Sequence, residues 1–319
     1  MRVSLVQVDG KIPNLALMKI SSYRKTQGHT TGLNLENPHE VWISCIFTWN
    51  REKAMSIARQ WKSLAKVRVG GSGVCLKTKL RYDIEHSMPD YELYDIDYSI
   101  GFTSRGCIRR CPFCIVPKKE GYIREHSPFR EFVHPDHNKI LLLDNNFLAS
   151  PRCVSKLRYL IAQNYRVSFN QGLDIRLIND ELAGLLADVK SRDLHFKCRR
   201  YYFAWDLMSY SRSVFNGILK LIDAGIKPRH MMFYILVGFN TTFEEDLYRV
   251  YKLKQIGCEP FIMKYNNINE KKLNALAKWV NRRYFKVVEW QDCKWNKWRD
   301  EYDVERILRE FDKKYNPPW

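Results

Sequence analysis

Three cysteines that lie close together in the chain are the residues best placed to do chemistry. Cys107, Cys111 and Cys114 have C-x3-C-x2-C spacing within the segment GFTSRGCIRRCPFCIVP (101–117). Thiols at such short spacing form disulfides, ligate zinc, or hold an iron–sulfur cluster. In the third case, three cysteine ligands would leave one iron of the cluster open to a further ligand. The spacing alone leaves all three interpretations open.

The other cysteines argue against a disulfide framework. The chain has nine cysteines, an odd number, and the segment after Met1 lacks the long apolar stretch of a secretory signal. The longest apolar run, MMFYILVGF (231–239), is too short to cross a bilayer, so we expect no membrane partner. We therefore expect a cytoplasmic protein with reduced thiols. Cysteines interpreted as small buried hydrophobic residues are Cys45, Cys75, Cys153, Cys198, Cys258 and Cys293.

A zinc site and an iron–sulfur cluster need different ligands. Structural zinc takes four ligands, usually in well-separated cysteine pairs, and no second pair lies near Cys107. His126 is a candidate fourth zinc ligand. A [4Fe–4S] cluster accepts thiolates on its irons, and nearby cations would offset the negative charge. The cations here are Arg105, Arg109 and Arg110, for which phosphate binding or solvent exposure are the alternatives.

The N-terminal part of the chain alternates between strand and helix patterns. Strands are predicted over 2–8, 41–49 and 66–74, and helices over 14–27 and 51–65. Strands that alternate with helices pair in parallel through right-handed crossovers. We therefore predict a small Rossmann-like α/β domain in this part of the chain.

A longer alternation begins at Tyr98. Predicted strands are 98–102, 139–143, 166–170, 200–205, 231–237 and 260–264, with amphipathic helices at 179–190, 213–224 and 242–256. Six successive strand–helix units predict a partial (β/α)6 barrel of the TIM type. Residues 266–319 add a further helix and a segment rich in tryptophan, lysine and arginine.

Polar residues and a glycine follow nearly every predicted barrel strand. In parallel α/β barrels the chemistry lies at the C-terminal ends of the strands, so these side chains are expected around one cavity. Each also has a simpler explanation as a helix cap, turn or surface residue. The candidate residues are Asp144, Asn145, Asn146, Gln171, Asp174, Arg176, Asp206 and Gly238.

The cysteine motif, with Phe113 directly before its third cysteine and a strand before the loop, resembles that of the radical S-adenosylmethionine superfamily. The resemblance covers about residues 98–265. It implies that Cys107, Cys111 and Cys114 hold a [4Fe–4S] cluster whose open iron takes the amino and carboxylate groups of S-adenosylmethionine. One electron would then cleave the sulfonium to a 5′-deoxyadenosyl radical, which abstracts hydrogen from a substrate. Phe113 would lie near the adenine.

Further phrases are similar to the branch of that superfamily with an N-terminal cobalamin-binding-like domain. They are TSRGC (103–107), LDNNF (143–147), QGLDIR (171–176) and LVGF (236–239), with the glycine-rich VGGSG at 69–73. The likeness implies a cobalamin-binding-like domain over 1–95, a radical barrel over 96–265 and a C-terminal helical extension over 266–319. In this chain DNN (144–146) stands where the family has a GGE-like segment that contacts the methionine amino group. Asp174, Arg176 and Asp206 stand where barrel residues contact the methionine carboxylate or the ribose.

Cobalamin is a candidate further cofactor of that branch. Base-off cobalamin binding commonly uses a D-x-H-x-x-G segment, and residues 1–95 contain none. The sequence therefore favours a vestigial domain that packs on the barrel or shapes the substrate site. The resemblance also implies a reductant such as flavodoxin or ferredoxin, and a small-molecule or nucleotide-type substrate.

The charge of the chain suggests a different class of function. The net charge is +18, and Trp290, Trp295 and Trp298 lie among lysines and arginines near the C-terminus. Aromatic rings stack on bases and cations bind phosphates. The alternative hypothesis is therefore a protein that binds or modifies nucleic acid and carries a structural metal site.

Overall fold

The protein is built of mostly parallel strands and of helices in a computed structural model that describes residues 1–315 and 317. The strands are β1 (Arg2–Gln7), β2 (Thr30–Leu33), β3 (Glu40–Ser44), β4 (Lys66–Gly70), β5 (Ser99–Gly101), β6 (Ser104–Arg105), β7 (Arg124–Glu125), β8 (Lys139–Leu142), β9 (Arg166–Phe169), β10 (Lys190–Ser191), β11 (Tyr201–Ala204), β12 (Met231–Val237) and β13 (Glu259–Lys264). The helices are α1 (Leu15–Thr26), α2 (Arg51–Trp61), α3 (Tyr82–Glu85), α4 (Val116–Lys119), α5 (Cys153–Ala162), α6 (Asp180–Asp188), α7 (Ser211–Asp223), α8 (Phe243–Ile256), α9 (Lys271–Asn281) and α10 (Val304–Tyr315).

Contacts divide the chain into two compact units. The first comprises residues 1–110 and 114–144, and the second comprises residues 111–113 and 145–319. The polypeptide therefore passes between the units within the cysteine segment itself. The domains 1–95, 96–265 and 266–319 stay a prediction, since these units are defined by contacts alone.

The first unit contains a four-stranded parallel sheet in the order β2-β1-β3-β4. Because β1 leads to β2 on one side and β3 leads to β4 on the other, right-handed crossovers place α1 and α2 on opposite faces. The two faces have separate cores. Val3 and Leu5 pack with Leu17 of α1, and Ile43 packs with Ala54 of α2. This is the doubly wound arrangement of a parallel α/β sheet.

Side-chain caps fix the first turns of three helices. Asn14 accepts a hydrogen bond from the Leu17 N–H at the start of α1, and Asn179 accepts one from the Leu182 N–H at the start of α6. Helix α8 begins with a capping box between Thr242 and Glu245, and Gly257 ends it in the left-handed conformation.

The rest of the first unit carries the segment before the cysteines. Strands β5 and β8 pair in parallel, with Ile100 opposite Leu141, and β6 and β7 form a short antiparallel ribbon. Helix α3 and a 3-10 turn at Tyr91–Tyr94 lie in the stretch between β4 and β5, for which the sequence shows no clear period. Strand β2 is also missing from the sequence interpretation, because TTGL is too short and weakly buried to give a periodic signal.

The second unit contains two parallel groups of strands. Strand β9 pairs with β10, and β11, β12 and β13 pair in that order, with Phe233 opposite both Phe203 and Pro260. Its predicted strands are confirmed to within one or two residues. The chain is therefore a mixed α/β protein with parallel sheets, as predicted.

Helix α10, near the C-terminus, packs on α8 within the second unit. Tyr248 of α8 contacts Phe311 of α10, and its hydroxyl donates to Asp312 at 2.9 Å. Trp279 and Trp290 are fully buried and lie edge to face with centroids 5.5 Å apart. Within residues 1–315 and 317, no helix is both long enough and apolar enough to span a membrane.

Candidate functional site

The backbone turns at a glycine directly before the first cysteine of the motif. Gly106 has a φ of +86°, and a Cβ there would lie 2.2 Å from the carbonyl oxygen of Tyr122. Only glycine fits this close approach without strain. The next residue is fixed too, because the Cys107 N–H donates to the Gly121 carbonyl at 3.2 Å. The Gly-Cys pair of TSRGC is therefore held against the chain that follows the motif.

Asp144 holds the same segment from the end of β8. Its Oδ1 accepts hydrogen bonds from the Thr103 hydroxyl, the Ser104 N–H and the Ser104 hydroxyl, each at 2.6 Å. Its Oδ2 accepts from the Thr103 N–H at 3.0 Å. The carboxylate is only 3% exposed. Asp144 thus positions the segment before Cys107. This role differs from the two suggested by the sequence, a helix cap and a cofactor contact.

Arg105 lies at the centre of a charged network within the first unit. Its guanidinium donates to Glu85 at 2.6 Å, to Glu120 at 3.1 Å and to the His126 Nε2 atom at 3.2 Å, and it stacks over Phe102 at 4.0 Å. Of the alternatives open from sequence, neither phosphate binding nor solvent exposure describes this side chain. Arg105, two residues before Cys107, therefore connects Glu85 and Glu120 through hydrogen-bonded ion pairs.

Glu85 is the anion that organises this network. Burial acts to raise the pKa of Glu85, but the hydrogen bond with His126 and the charges of Lys19 and Arg105 outweigh burial and lower the pKa to about 2. Burial lowers the pKa of His126. The sequence gives no signal for Glu85, because it lies in the aperiodic stretch between β4 and β5.

Two cysteine sulfurs of the motif accept backbone hydrogen bonds. The Arg109 N–H donates to the Cys107 Sγ at 3.3 Å, and the Val116 N–H donates to the Cys114 Sγ at 3.5 Å. In both cases the donor lies two residues after the cysteine. Such donors stabilise the thiolate, which is the form that binds metal, and tune the potential of iron–sulfur clusters.

Cys111, the middle cysteine of the motif, lies among polar groups of the second unit. Burial raises the pKa of Tyr210, and the adjacent Cys111 sulfur, to which Tyr210 is hydrogen bonded, raises it further. The Arg176 guanidinium lies over the Tyr210 ring at 4.3 Å. Cys111, Tyr210 and Arg176 therefore form one group.

Asp174 joins this group to the residues after β8. Arg176 donates through Nε and Nη2 to the two Asp174 carboxylate oxygens at 2.6 and 3.1 Å, and its backbone N–H donates at 3.2 Å. Asn146, which is 4% exposed, donates to Asp174 at 3.3 Å. Three residues predicted to contact cofactor, Asn146, Asp174 and Arg176, are thus brought together. Asn145 precedes them at the start of this unit and is half-buried.

Asp206 is a second carboxyl near this group. Burial raises the pKa of Asp206 to about 6, against the opposing charges of Arg249 and Arg176. A carboxyl with this pKa exchanges its proton close to neutral pH, which suits acid–base chemistry.

Arg249 fixes the backbone around Asp206. It is fully buried on α8 and donates to the carbonyls of Trp205, Asp206 and Leu236 at 2.6, 3.0 and 2.9 Å. It also pairs with buried Asp246. Arg249 therefore ties the ends of β11 and β12 to α8. Sequence reasoning missed this residue, although an acid and a base three residues apart on a core-facing helix stripe are a usable signal.

Phe113 begins a row of aromatic rings. Its centroid lies 5.5 Å from that of Phe239, which lies 4.9 Å from that of Tyr265. Gly238 precedes Phe239 with a φ of +76°, and a Cβ there would lie 3.0 Å from Leu273. This glycine is needed for the turn and for packing. Gln171 is exposed, so the structure brings it to solvent.

The scattered cysteines divide into two kinds. Cys45, Cys153, Cys258 and Cys293 are buried, as predicted, whereas Cys75 and Cys198 are exposed. The prediction is wrong for these two because both lie in irregular segments outside the core.

The structure does not bring metal-ligating side chains together in the part of the chain that it describes. Among residues 1–315 and 317, no three His, Cys, Asp or Glu side chains are grouped so that they could hold a metal ion, and this includes the three cysteines of the motif. The His126 Nε2 atom, which a zinc site would use, lies 3.0 Å from Glu85. A cluster places different demands on its ligands, since each thiolate binds its own iron.

No protein-family model matches the chain, and no curated protein matches it.

Proposed function

We propose that the chain is a radical S-adenosylmethionine enzyme. The observation that carries the proposal is the pair of backbone N–H donors on the Cys107 and Cys114 sulfurs. A backbone donor two residues after the cysteine favours a thiolate ligand, and repetition at two of three motif cysteines suits a cluster-binding loop. Gly106 and Asp144 hold the segment that leads into this loop.

Cys107, Cys111 and Cys114 are the proposed ligands of a [4Fe–4S] cluster. A cluster held by these thiolates would supply the electron for reductive cleavage of S-adenosylmethionine, and the resulting 5′-deoxyadenosyl group would take a hydrogen atom from the substrate to give 5′-deoxyadenosine. The reducing electron comes from a reductant such as flavodoxin or ferredoxin.

The residues of the second unit are the proposed contacts of S-adenosylmethionine. Arg176, whose Nε and Nη2 donate to Asp174, is the proposed partner of the methionine carboxylate. Asp206 and Asp174 offer acceptors for ribose hydroxyls, and Phe113 offers a ring edge or face to adenine. Further proposed contacts are Asp144 through the loop that it holds, Asn145, Asn146, Gln171 and Gly238.

The same proposal assigns the larger architecture. Strands β5, β8, β9, β11, β12 and β13 would form the partial barrel, and the N-terminal doubly wound sheet would be the cobalamin-binding-like domain. We propose that this domain is vestigial and shapes the substrate site. The substrate would be a small molecule or a nucleotide, and the enzyme would work in the cytoplasm.

Anaerobic reconstitution tests the proposal. The purified protein is supplied with iron and sulfide, then with S-adenosylmethionine and dithionite, and 5′-deoxyadenosine is measured. We expect a brown protein that forms the nucleoside, and a Cys114→Ala variant that forms none. Cys198→Ala is the matched control, since Cys198 is exposed and outside the motif. A colourless protein with one equivalent of zinc and no nucleoside would exclude the radical assignment.

A further inference from the structure

Trp295 is the most exposed tryptophan of the segment 279–298, in which Trp298 is half-buried. Trp279 and Trp290 are fully buried, whereas Trp295 is 37% exposed. The Lys278 ammonium lies over the Trp295 ring, 4.1 Å from its centroid, and Tyr284 lies 5.9 Å away. The ring is therefore held between α9 and the chain after it, with part of its surface open to solvent.

The charge around Trp295 is strongly positive. Residues 278–299 contain seven Lys and Arg and two Asp and Glu, by count of the sequence. The two acidic residues of this segment are Glu289, which forms an ion pair with Lys254 outside the segment, and Asp292, which is exposed. This segment of 22 residues therefore has a net charge of +5, a higher density of positive charge than the +18 of the whole chain gives on average.

Four of these cations are exposed and make no ion pair within the described chain. By contrast, Lys286 and Arg283 lie near Glu259, and Arg299 lies near Asp300. Lys278 and Arg282 are one helical turn apart at the end of α9 and so share a face, while the other two flank Trp295. The uncompensated cations are Lys278, Arg282, Lys294 and Lys297. We call these four residues, with Tyr284 and Trp295, the Trp295 face.

We propose that the Trp295 face binds single-stranded nucleic acid. An open aromatic ring gives an unpaired base a surface for stacking, and surrounding cations bind the phosphates on either side. Stacking of this kind requires an unpaired base, which favours a single strand over a duplex. The inference does not depend on radical chemistry, because none of its residues belongs to the proposed cofactor site.

The composition of the face argues against a lipid surface. Membrane-binding faces combine cations with several exposed large apolar residues. Here Trp279, Phe285 and Trp290 are buried, so Trp295 and Val287 are the large apolar side chains that remain outside in this segment. That is enough for one base and too little for insertion between lipids.

Binding is tested with the full chain and a fluorescein-labelled oligonucleotide of about 16 nucleotides, a length within the range of known single-strand sites. Fluorescence anisotropy is measured between about 50 and 200 mM salt. Each phosphate contact on a single strand adds about 0.7 to the slope of log affinity against log salt. The triple variant Lys278→Gln, Lys294→Gln, Lys297→Gln should therefore lose about 2 from that slope and bind more than tenfold more weakly.

A second triple variant removes the same charge elsewhere. Lys53, Lys62 and Lys66 are exposed residues of the first unit, and their replacement by Gln should change affinity by less than about twofold, since surface charges away from the contact act only through screened fields. Trp295→Ala should weaken binding by about tenfold, as loss of one base stack does, and Trp295→Phe should retain most affinity.

Two results would overturn the inference. One is an equal loss of affinity in the two triple variants, which would reduce the binding to overall charge. The other is binding to vesicles of anionic phosphatidylglycerol without binding to the oligonucleotide, which would make the face a lipid contact. Nucleoside formation by the reconstituted enzyme is unaffected by either result, so failure here is distinct from failure of the proposed function.

Discussion

The Thr103 hydroxyl donates a hydrogen bond to the Asp144 carboxylate at 2.6 Å, and the Thr103 backbone N–H donates to the other carboxylate oxygen at 3.0 Å. One residue at the end of β8 thereby holds both the main chain and the side chain of a residue four positions before Cys107. The first residue of the DNN segment is thus occupied by protein donors, and its effect on any cofactor must pass through the loop that it positions.

Replacing Asp144 should destabilise the first unit. Asp144→Ala leaves buried donors of Thr103 and Ser104 without an acceptor, and each lost bond to a charged group costs about 1.5–3 kcal/mol. We expect Asp144→Ala to lose at least about 3 kcal/mol in chemical denaturation and Asp144→Asn to lose less. Asp136→Asn is the control, because that side chain is 88% exposed, and it should change stability by less than about 0.5 kcal/mol. An equal change in stability for Asp144→Ala and Asp136→Asn would show that the hydrogen bonds of Asp144 with Thr103 and Ser104 do not stabilise the protein.

Glu85→Gln should lower stability in a pH-dependent way. The folded pKa of Glu85 is about 2, below the ordinary value of 4.5. A lowered carboxyl pKa contributes stability above pH 4.5 and loses it as pH falls toward 2. A shift of this size corresponds to roughly 3 kcal/mol. The difference between wild type and variant should therefore be largest near pH 7 and shrink below pH 4.5.

Chemical denaturation at several pH values measures that difference. Asp83→Asn, an exchange at a largely exposed neighbour on α3, is the control and should give a small difference. A gap between wild type and Glu85→Gln that stays constant from pH 7 to pH 3 would show that packing, and not charge, is what Glu85 supplies.

Asp206→Asn should change stability in the opposite direction to Glu85→Gln: it should stabilise the protein at neutral pH. Burial raises the folded pKa of Asp206 from 3.8 to about 6, so the folded state binds the proton more tightly than the unfolded chain does. Stability contributed by the protonated form is present below pH 3.8 and is lost as pH rises through 6. Removing the charge should therefore stabilise the protein at pH 7.5, by up to roughly 3 kcal/mol, and have little effect near pH 4.

The same variant separates stability from activity. If Asp206 contacts S-adenosylmethionine, Asp206→Asn should lose nucleoside formation while its melting temperature at pH 7.5 rises. A variant that is less stable than wild type at pH 7.5 would show that the carboxylate is bound by Arg249 and Arg176 more strongly than burial opposes it.

Local signals were enough to predict most elements of the fold. Strand β12 and helix α8 lie where the sequence predicts them, because their apolar periodicity is encoded within a few neighbouring residues. The doubly wound order of the first sheet is different. That order requires β1 to pair with β3 as well as with β2. Pairing between strands is a long-range interaction, and the residue pattern within one strand does not specify it.

The sequence predicts which residues lie near the candidate site, but it does not predict which residues they contact. Placement after strands identified Asp174, Arg176 and Asn146, which do lie together. It could not identify Glu85 or Arg249, since their importance comes from burial next to groups far away in sequence. Arg249 reaches carbonyls more than forty residues away in the chain, and no local spacing reports that.

Two glycines in helices should respond in opposite ways to the same substitution. Alanine is favoured over glycine in a helix by about 1 kcal/mol. Gly184 in α6 is exposed and a Cβ there meets nothing within 4 Å, so Gly184→Ala should stabilise the protein by about 0.5–1 kcal/mol. Gly217 in α7 is buried, and a Cβ there would lie 2.6 Å from the Ile175 carbonyl oxygen. Backbone must move to accept it, so Gly217→Ala should destabilise by about 1–3 kcal/mol despite the better helix propensity.

The second substitution also bears on the site, because Ile175 lies between Asp174 and Arg176. A displacement of Ile175 moves the carboxylate–guanidinium pair that carries the proposed contacts of S-adenosylmethionine. We expect Gly217→Ala to weaken nucleoside formation as well as stability, and Gly184→Ala to leave nucleoside formation unchanged. Thermal unfolding and the reconstitution assay measure the two effects on the same samples. If both variants gained stability, the close approach of α7 to the segment after β9 would not exist in solution.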